Sequence, residues 1–66
     1  MKFKEMTDTL TQGYIVAIRD EENENVCNTR TDSKGIIPYL DKDVIKWFPS
    51  GTMVNQADFT VQLKGV

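Results

Sequence analysis

The stretch Leu40-Asp41-Lys42-Asp43-Val44-Ile45-Lys46-Trp47-Phe48-Pro49-Ser50-Gly51 decides how the rest of this 66-residue chain is read. It holds the only tryptophan, one of the two prolines, and the densest group of large apolar side chains. Leu40, Val44, Trp47 and Phe48 fall at i, i+4, i+7 and i+8, which is one face of an α-helix. Asp41 suits the N-cap, and Asp43 adds negative charge in a first turn whose free amides favour it. Leu40 and Ile45 stand where a hydrophobic staple would put them. Pro49 bars Phe48 from helical backbone, and Ser50-Gly51 completes the turn. These residues predict a short helix near 41–48. Two turns do not persist alone, so Trp47 and Phe48 would have to dock the helix onto a sheet, as a plug on which it closes. A strand, with Ile45 and Trp47 opposing Val44, Lys46 and Phe48, is the rival reading.

Upstream, the signals are those of strands. Tyr14-Ile15-Val16-Ala17-Ile18-Arg19 is β-branched or aromatic and almost wholly apolar, as a strand covered on both faces would be. Asp20-Glu21-Glu22-Asn23-Glu24-Asn25 is a polar turn, and Val26-Cys27-Asn28-Thr29-Arg30-Thr31 a second, more polar strand. So short a connection makes the pair an antiparallel hairpin. Asp32-Ser33-Lys34-Gly35 has the residue order of a type I turn. Ile36 to Leu40 then reads as extended, with Pro38 implying an edge or a strand end. Residues 1–12 carry two patterns. Phe3, Met6 and Leu10 recur at helical spacing, but three threonines (Thr7, Thr9, Thr11) and an alternating order tip the reading to a frayed or edge strand.

Downstream, Thr52-Met53-Val54 reads as a short strand and Asn55-Gln56-Ala57-Asp58 as a turn. Phe59-Thr60-Val61-Gln62-Leu63-Lys64 alternates cleanly, which predicts Phe59, Val61 and Leu63 facing the core and Thr60, Gln62 and Lys64 facing water. The sum is one small domain over residues 1–66. It is mainly β (α+β): three to five antiparallel strands, as a sheet or small barrel, with one short helix.

Size limits what such a domain can do unaided. A chain this short buries only roughly 60% of its unfolded surface, so its stability is marginal. With one cysteine, Cys27, and no histidine, an internal disulfide is ruled out and a zinc cluster has too few ligands. Association with itself or with another protein is the remaining way to bury more apolar area. No apolar run approaches the roughly 18 residues of a membrane span, and Met1-Lys2-Phe3-Lys4-Glu5-Met6 has no apolar core behind it, so it is not a signal peptide. The chain reads as cytoplasmic, with no membrane partner. Its net charge is −2, and the eight basic residues are dispersed, which disfavours nucleic acid.

The chemistry-bearing residues have modest explanations. Nucleophilic triads lack a second member. Cys27 has no cation placed to activate it and reads as an inert, part-buried thiol. The acidic loop from Asp20 to Asn25 lacks the glycine of a calcium loop and its later bidentate glutamate. Asp41 and Asp43, at i and i+2 of a helix, do not face each other as an acid/base pair must. The four glycines are isolated, so no phosphate-cradling loop exists. No catalytic residue, metal ligand or cofactor is expected, and an enzyme is not the favoured reading. Trp47 is either core, the favoured reading in a domain with few large residues, or an interface anchor. Phe48, Tyr39 and Tyr14 are the other candidate interface residues.

From Gly13 to Leu40 the chain has the form Gly-x-x-Val-x-Ile-x-Asp, a polar turn, then Val-x-x-x-x-Thr-Asp-x-x-Gly-x-x-x-Tyr, carried by Val16, Ile18, Asp20, Val26, Thr31, Asp32, Gly35 and Tyr39. This resembles the opening hairpin of carboxypeptidase-regulatory-like (prealbumin-type) β-sandwich domains and of collagen-adhesin B-type repeats. Pro49-Ser50-Gly51 is similar to the Pro-x-Gly turn that precedes a later strand in those domains. The resemblance covers less than half of the chain, and Asp41 to Phe48 departs from it. It implies a structural or interaction module without catalytic residues. Small acidic proteins of this kind are also similar in style to phage and mobile-element accessory proteins. The leading expectation is therefore a non-enzymatic interaction or accessory protein that self-associates. The alternative is a small barrel that binds single-stranded nucleic acid on Tyr14, Tyr39 and Trp47.

Overall fold

The structure is a computed structural model that describes residues 1–10, 13–51 and 57–66. The strand expected at 52–54, and the first half of the turn after it, lie outside those residues. Helix α1 spans Phe3–Thr9, and strands β1 to β4 span Ile15–Arg19, Asn25–Arg30, Val44–Pro49 and Phe59–Leu63. A 3-10 helix, Lys34–Tyr39, lies between β2 and β3. The strands form one sheet in the order β2-β1-β4-β3. β1 pairs antiparallel with β2, and β3 antiparallel with β4, but the two central strands run parallel. The expected small, mainly β fold with one short α-helix is what forms, although the sheet is mixed rather than antiparallel throughout.

The helix is not where the central stretch placed it. Val44–Pro49 is a strand, and the α-helix is the N-terminal segment Phe3–Thr9. Two physical reasons favour this exchange. A lone two-turn helix at 41–48 would leave one side of β4 without backbone partners, whereas a strand of Val, Ile, Trp and Phe supplies them. At the N-terminus, the helical spacing of Phe3 and Met6 buries both side chains, and burial outweighs the weak β preference of threonine. Thr7 and Thr9 donate their hydroxyls to Lys4 O and Met6 O, three residues back, so neither opposes the helix.

The core lies between α1 and one face of the sheet. Phe3 and Met6 from α1, Val16 and Ile18 from β1, Val61 and Leu63 from β4, and Ile36 from the 3-10 helix form one buried cluster. Phe3, and not Trp47, is the aromatic plug. Tyr39 and Leu40 pack against the edge of the cluster, which is why Ile36 to Leu40 winds up instead of extending. The turn also begins early. Ser33 N–H donates to Arg30 O, and Ser33 Oγ then caps the 3-10 helix by accepting from Gly35 N–H. Pro38 sits inside this helix and not at a strand end.

β4 departs from its expected two-faced pattern. Thr60 and Gln62 are buried along with Val61 and Leu63. A central strand has neighbours on both sides, and Thr60 stands in register between Ala17 of β1 and Phe48 of β3. Gln62 is satisfied there by donating its Nε2 to Glu21 O at 2.9 Å. The hairpin turn is built as its polarity suggests: Asp20 Oδ1 accepts from both Glu22 N–H and Glu24 N–H. Among the described residues, no helix is long and apolar enough to cross a membrane.

Candidate functional site: the outer edge of β3

The N-terminal arm sets where the outer edge of β3 begins. Phe3 N–H donates to Lys42 O and Val44 N–H donates to Met1 O, at 2.9 and 2.8 Å. Lys2 and Asp43 face each other in an isolated antiparallel bridge, and Lys2 Nζ lies 3.0 Å from Asp43 Oδ1. That ammonium holds the Asp43 carboxyl below the usual carboxylate range, first by hydrogen bonding and then by charge. Asp43, expected at the start of a helix, instead fastens the arm to the strand. Asp41 sits exposed in the turn before it.

Beyond Val44 the edge is open among the described residues. On its inner side, Lys64 N–H donates to Asp43 O and Ser50 N–H to Asp58 O. The register shifts between Val44 and Lys46, so one extra residue is accommodated there as a bulge. Backbone groups of successive strand residues alternate sides. Counting from both ends, Lys46, Phe48 and Ser50 turn towards β4, and Trp47 and Pro49 turn outward. Pro49 has no N–H. Trp47 is thus the one residue past the bulge that presents both N–H and C=O to the open side.

The side chains of the same strand are conspicuously uncovered. Ile45, Trp47 and Phe48 are 48%, 46% and 46% exposed. Trp47 stands opposite Val61 and therefore on the α1 face, whereas Phe48, opposite Thr60, points to the other face. Trp47 packs edge-on against Phe59 at 5.9 Å, and Tyr14, the residue before β1, meets the same ring at 5.5 Å. An aromatic row, Tyr14–Phe59–Trp47, therefore runs from the start of β1 across β4 to β3. Trp47 takes no place in the buried cluster, so the expectation that it fills the core is corrected.

The four candidate interface residues do not converge. Trp47 and Phe48 share the edge on opposite faces, and Tyr14 reaches Trp47 only through Phe59. Tyr39 is elsewhere, against the core, with its hydroxyl 3.5 Å from the Cys27 thiol. That contact, with some desolvation, pushes the Tyr39 hydroxyl above its ordinary pKa. The two residues that sequence reasoning missed are Ile45 and Phe59. The alternation of β4 predicts Phe59 wholly in the core, and the helix reading predicts Ile45 in a staple. The signal for Ile45 lay in the rival strand pattern, where a bulge cannot be read.

Elsewhere the surface offers little chemistry. A shallow depression of about 430 Å³ is lined by Ile15, Asn28, Thr29, Arg30 and Ser33. The Arg30 guanidinium is engaged by Asp32, at 3.0 and 3.1 Å, and this pairing holds the Asp32 carboxyl below its usual range. Among the described residues, no three histidine, cysteine or acidic side chains cluster as metal ligands. Set against models of known protein families, against curated proteins and against solved structures, the chain matches none.

Proposed function

We propose that this chain is a non-enzymatic interaction protein of the accessory kind, acting by docking protein on the open edge of β3. The observation that carries the reading is a contrast within one strand. Three large apolar side chains, Ile45, Trp47 and Phe48, stand about half exposed while the core closes without them. Buried tryptophan and other aromatics dominate the energy of protein interfaces, and an unpaired sheet edge offers backbone groups besides. The likeness of residues 13–40 to prealbumin-type modules, which act as structural or interaction units, points the same way.

The test is capture of partners by the wild type and by Trp47→Ser, with light scattering over a concentration series. The reading expects association that Trp47→Ser removes without unfolding the chain. A wild type that stays monomeric and captures nothing would end it.

A second reading, binding of single-stranded nucleic acid, is favoured by the Tyr14–Phe59–Trp47 row, on which bases could stack. It loses Tyr39, which lies against the core. Two cations, Lys2 and Arg30, are also engaged by carboxylates. It predicts a salt-sensitive change in Trp47 fluorescence on adding an oligonucleotide, and no change at low salt would dismiss it.

A further inference from the structure

We propose that the occupant of the β3 edge is β3 of a second copy of this chain, paired antiparallel with Trp47 opposite Trp47 on the two-fold axis. The inference rests on the docking role given above for this edge and names what docks there.

Four features of the strand select this occupant and this register. The first is length. Met1 to Phe3 already hold Lys42 to Val44, which leaves Ile45 to Pro49 as the free edge among the described residues, and its midpoint is Trp47. The second is hydrogen bonding. Past the bulge only Trp47 turns both N–H and C=O outward, so two copies centred on it exchange two reciprocal bonds and leave neither group unpaired. The neighbouring register, centred on Phe48, sets each Trp47 opposite Pro49, which has no N–H to give, and strands the Trp47 carbonyl.

The third feature is charge. A two-fold axis normal to the sheet keeps the same face of both copies on one side. Centring on Trp47 then places Lys46 beside the ring of Phe48 in the second copy, a favourable cation–π arrangement. Centring on Lys46 would oppose two ammonium groups, which is unfavourable. The fourth is closure. Proline, a bulge and lysine on an edge are features that limit open-ended strand addition. Here they leave one short seat that two copies fill together, so a dimer forms and not a fibre. The outer edge of the sheet at β2 is more polar, since its exposed side chains are Asn25, Asn28 and Arg30 with the single apolar Val26.

A standard interface takes about 800 Å² from each partner, and five residues of edge supply less, so the dimer is weak and concentration-dependent. Cysteine trapping tests the register. In a Cys27→Ser background, Lys46→Cys and Phe48→Cys are made separately and oxidised alone and mixed. In the proposed register, residues 46 and 48 of opposite copies form a non-hydrogen-bonded pair with Cα atoms about 4.5 Å apart, within disulfide reach. The mixture should therefore cross-link roughly tenfold more than either variant alone, whose own cysteines lie beyond the roughly 7 Å limit. Cross-linking of Phe48→Cys alone would overturn the register in favour of the Phe48-centred one. A wild type that stays monomeric by light scattering at millimolar concentration would overturn self-pairing. Docking of a different protein would then still be decided separately, by whether Trp47→Ser abolishes its capture.

Discussion

Trp47 and Phe3 exchange the roles that their sizes suggest. Phe3 is fully buried at the centre of the cluster, whereas Trp47 leans on one ring at a strand edge. Phe3→Ala should cost about 3–5 kcal/mol, much of the total for so small a domain, and urea titration should show the chain largely unfolded. Trp47→Ser should move the urea midpoint far less. Thr60 offers a test of opposite sign. Its hydroxyl is buried without a partner among the described residues, so the near-isosteric Thr60→Val should stabilise by about 1 kcal/mol. At the carboxylates the direction is set by their partners. Lys2 and Arg30 depress Asp43 and Asp32, so folding favours the ionised forms. That stabilisation is complete above the unfolded value of about 4 and is lost as pH falls through the lower folded values. Both groups are exposed and the effect is small. The thermal midpoint should fall on acidification below about pH 4, and Asp43→Asn should blunt the fall.

At the scale of the element, the lesson lies in two segments whose patterns were each double. β1 and β4 were legible because β-branched and aromatic residues ran together between turn signals, and β2 because the short polar loop from Asp20 to Asn25 fixed its hairpin with β1. Residues 1–10 and 40–49 each fitted both periods, and local preference chose wrongly in both. Threonines outweighed the spacing of Phe3 and Met6 in the first. In the second, Asp41, Asp43 and Pro49 imitated the start and stop of a helix. What decided the matter was non-local: β4 needed a partner on its second side, and the core needed a plug from outside the sheet. No pattern within either segment records those demands. The site suffered the same way. Trp47 and Phe48 were identified as candidates, but their exposure follows from lying on an edge strand. The dependence of the sheet on α1 is testable here. Met6→Pro removes a helical N–H and strains the preceding turn, and it should abolish cooperative thermal unfolding of the sheet as well as the helix.

At the scale of the whole molecule, one layer of helix covers one face of a four-stranded sheet, and the edge at β3 is left apolar on both faces. The core has already used Phe3, Met6 and the central strands, so nothing in the fold requires Ile45, Trp47 and Phe48 to be large. Exposed apolar groups of this size on a small domain mark a surface that another molecule covers. Trp47 then belongs to such a surface, the one that a second copy of the chain covers, and not to the core. Sedimentation equilibrium of the wild type and Trp47→Ser over the same concentration range, on samples whose folding is verified by urea unfolding, tests this assignment most directly. The weight-average mass should rise with concentration for the wild type and stay at the monomer for a folded Trp47→Ser. An unfolded Trp47→Ser, or identical mass curves for the two proteins, would contradict the assignment.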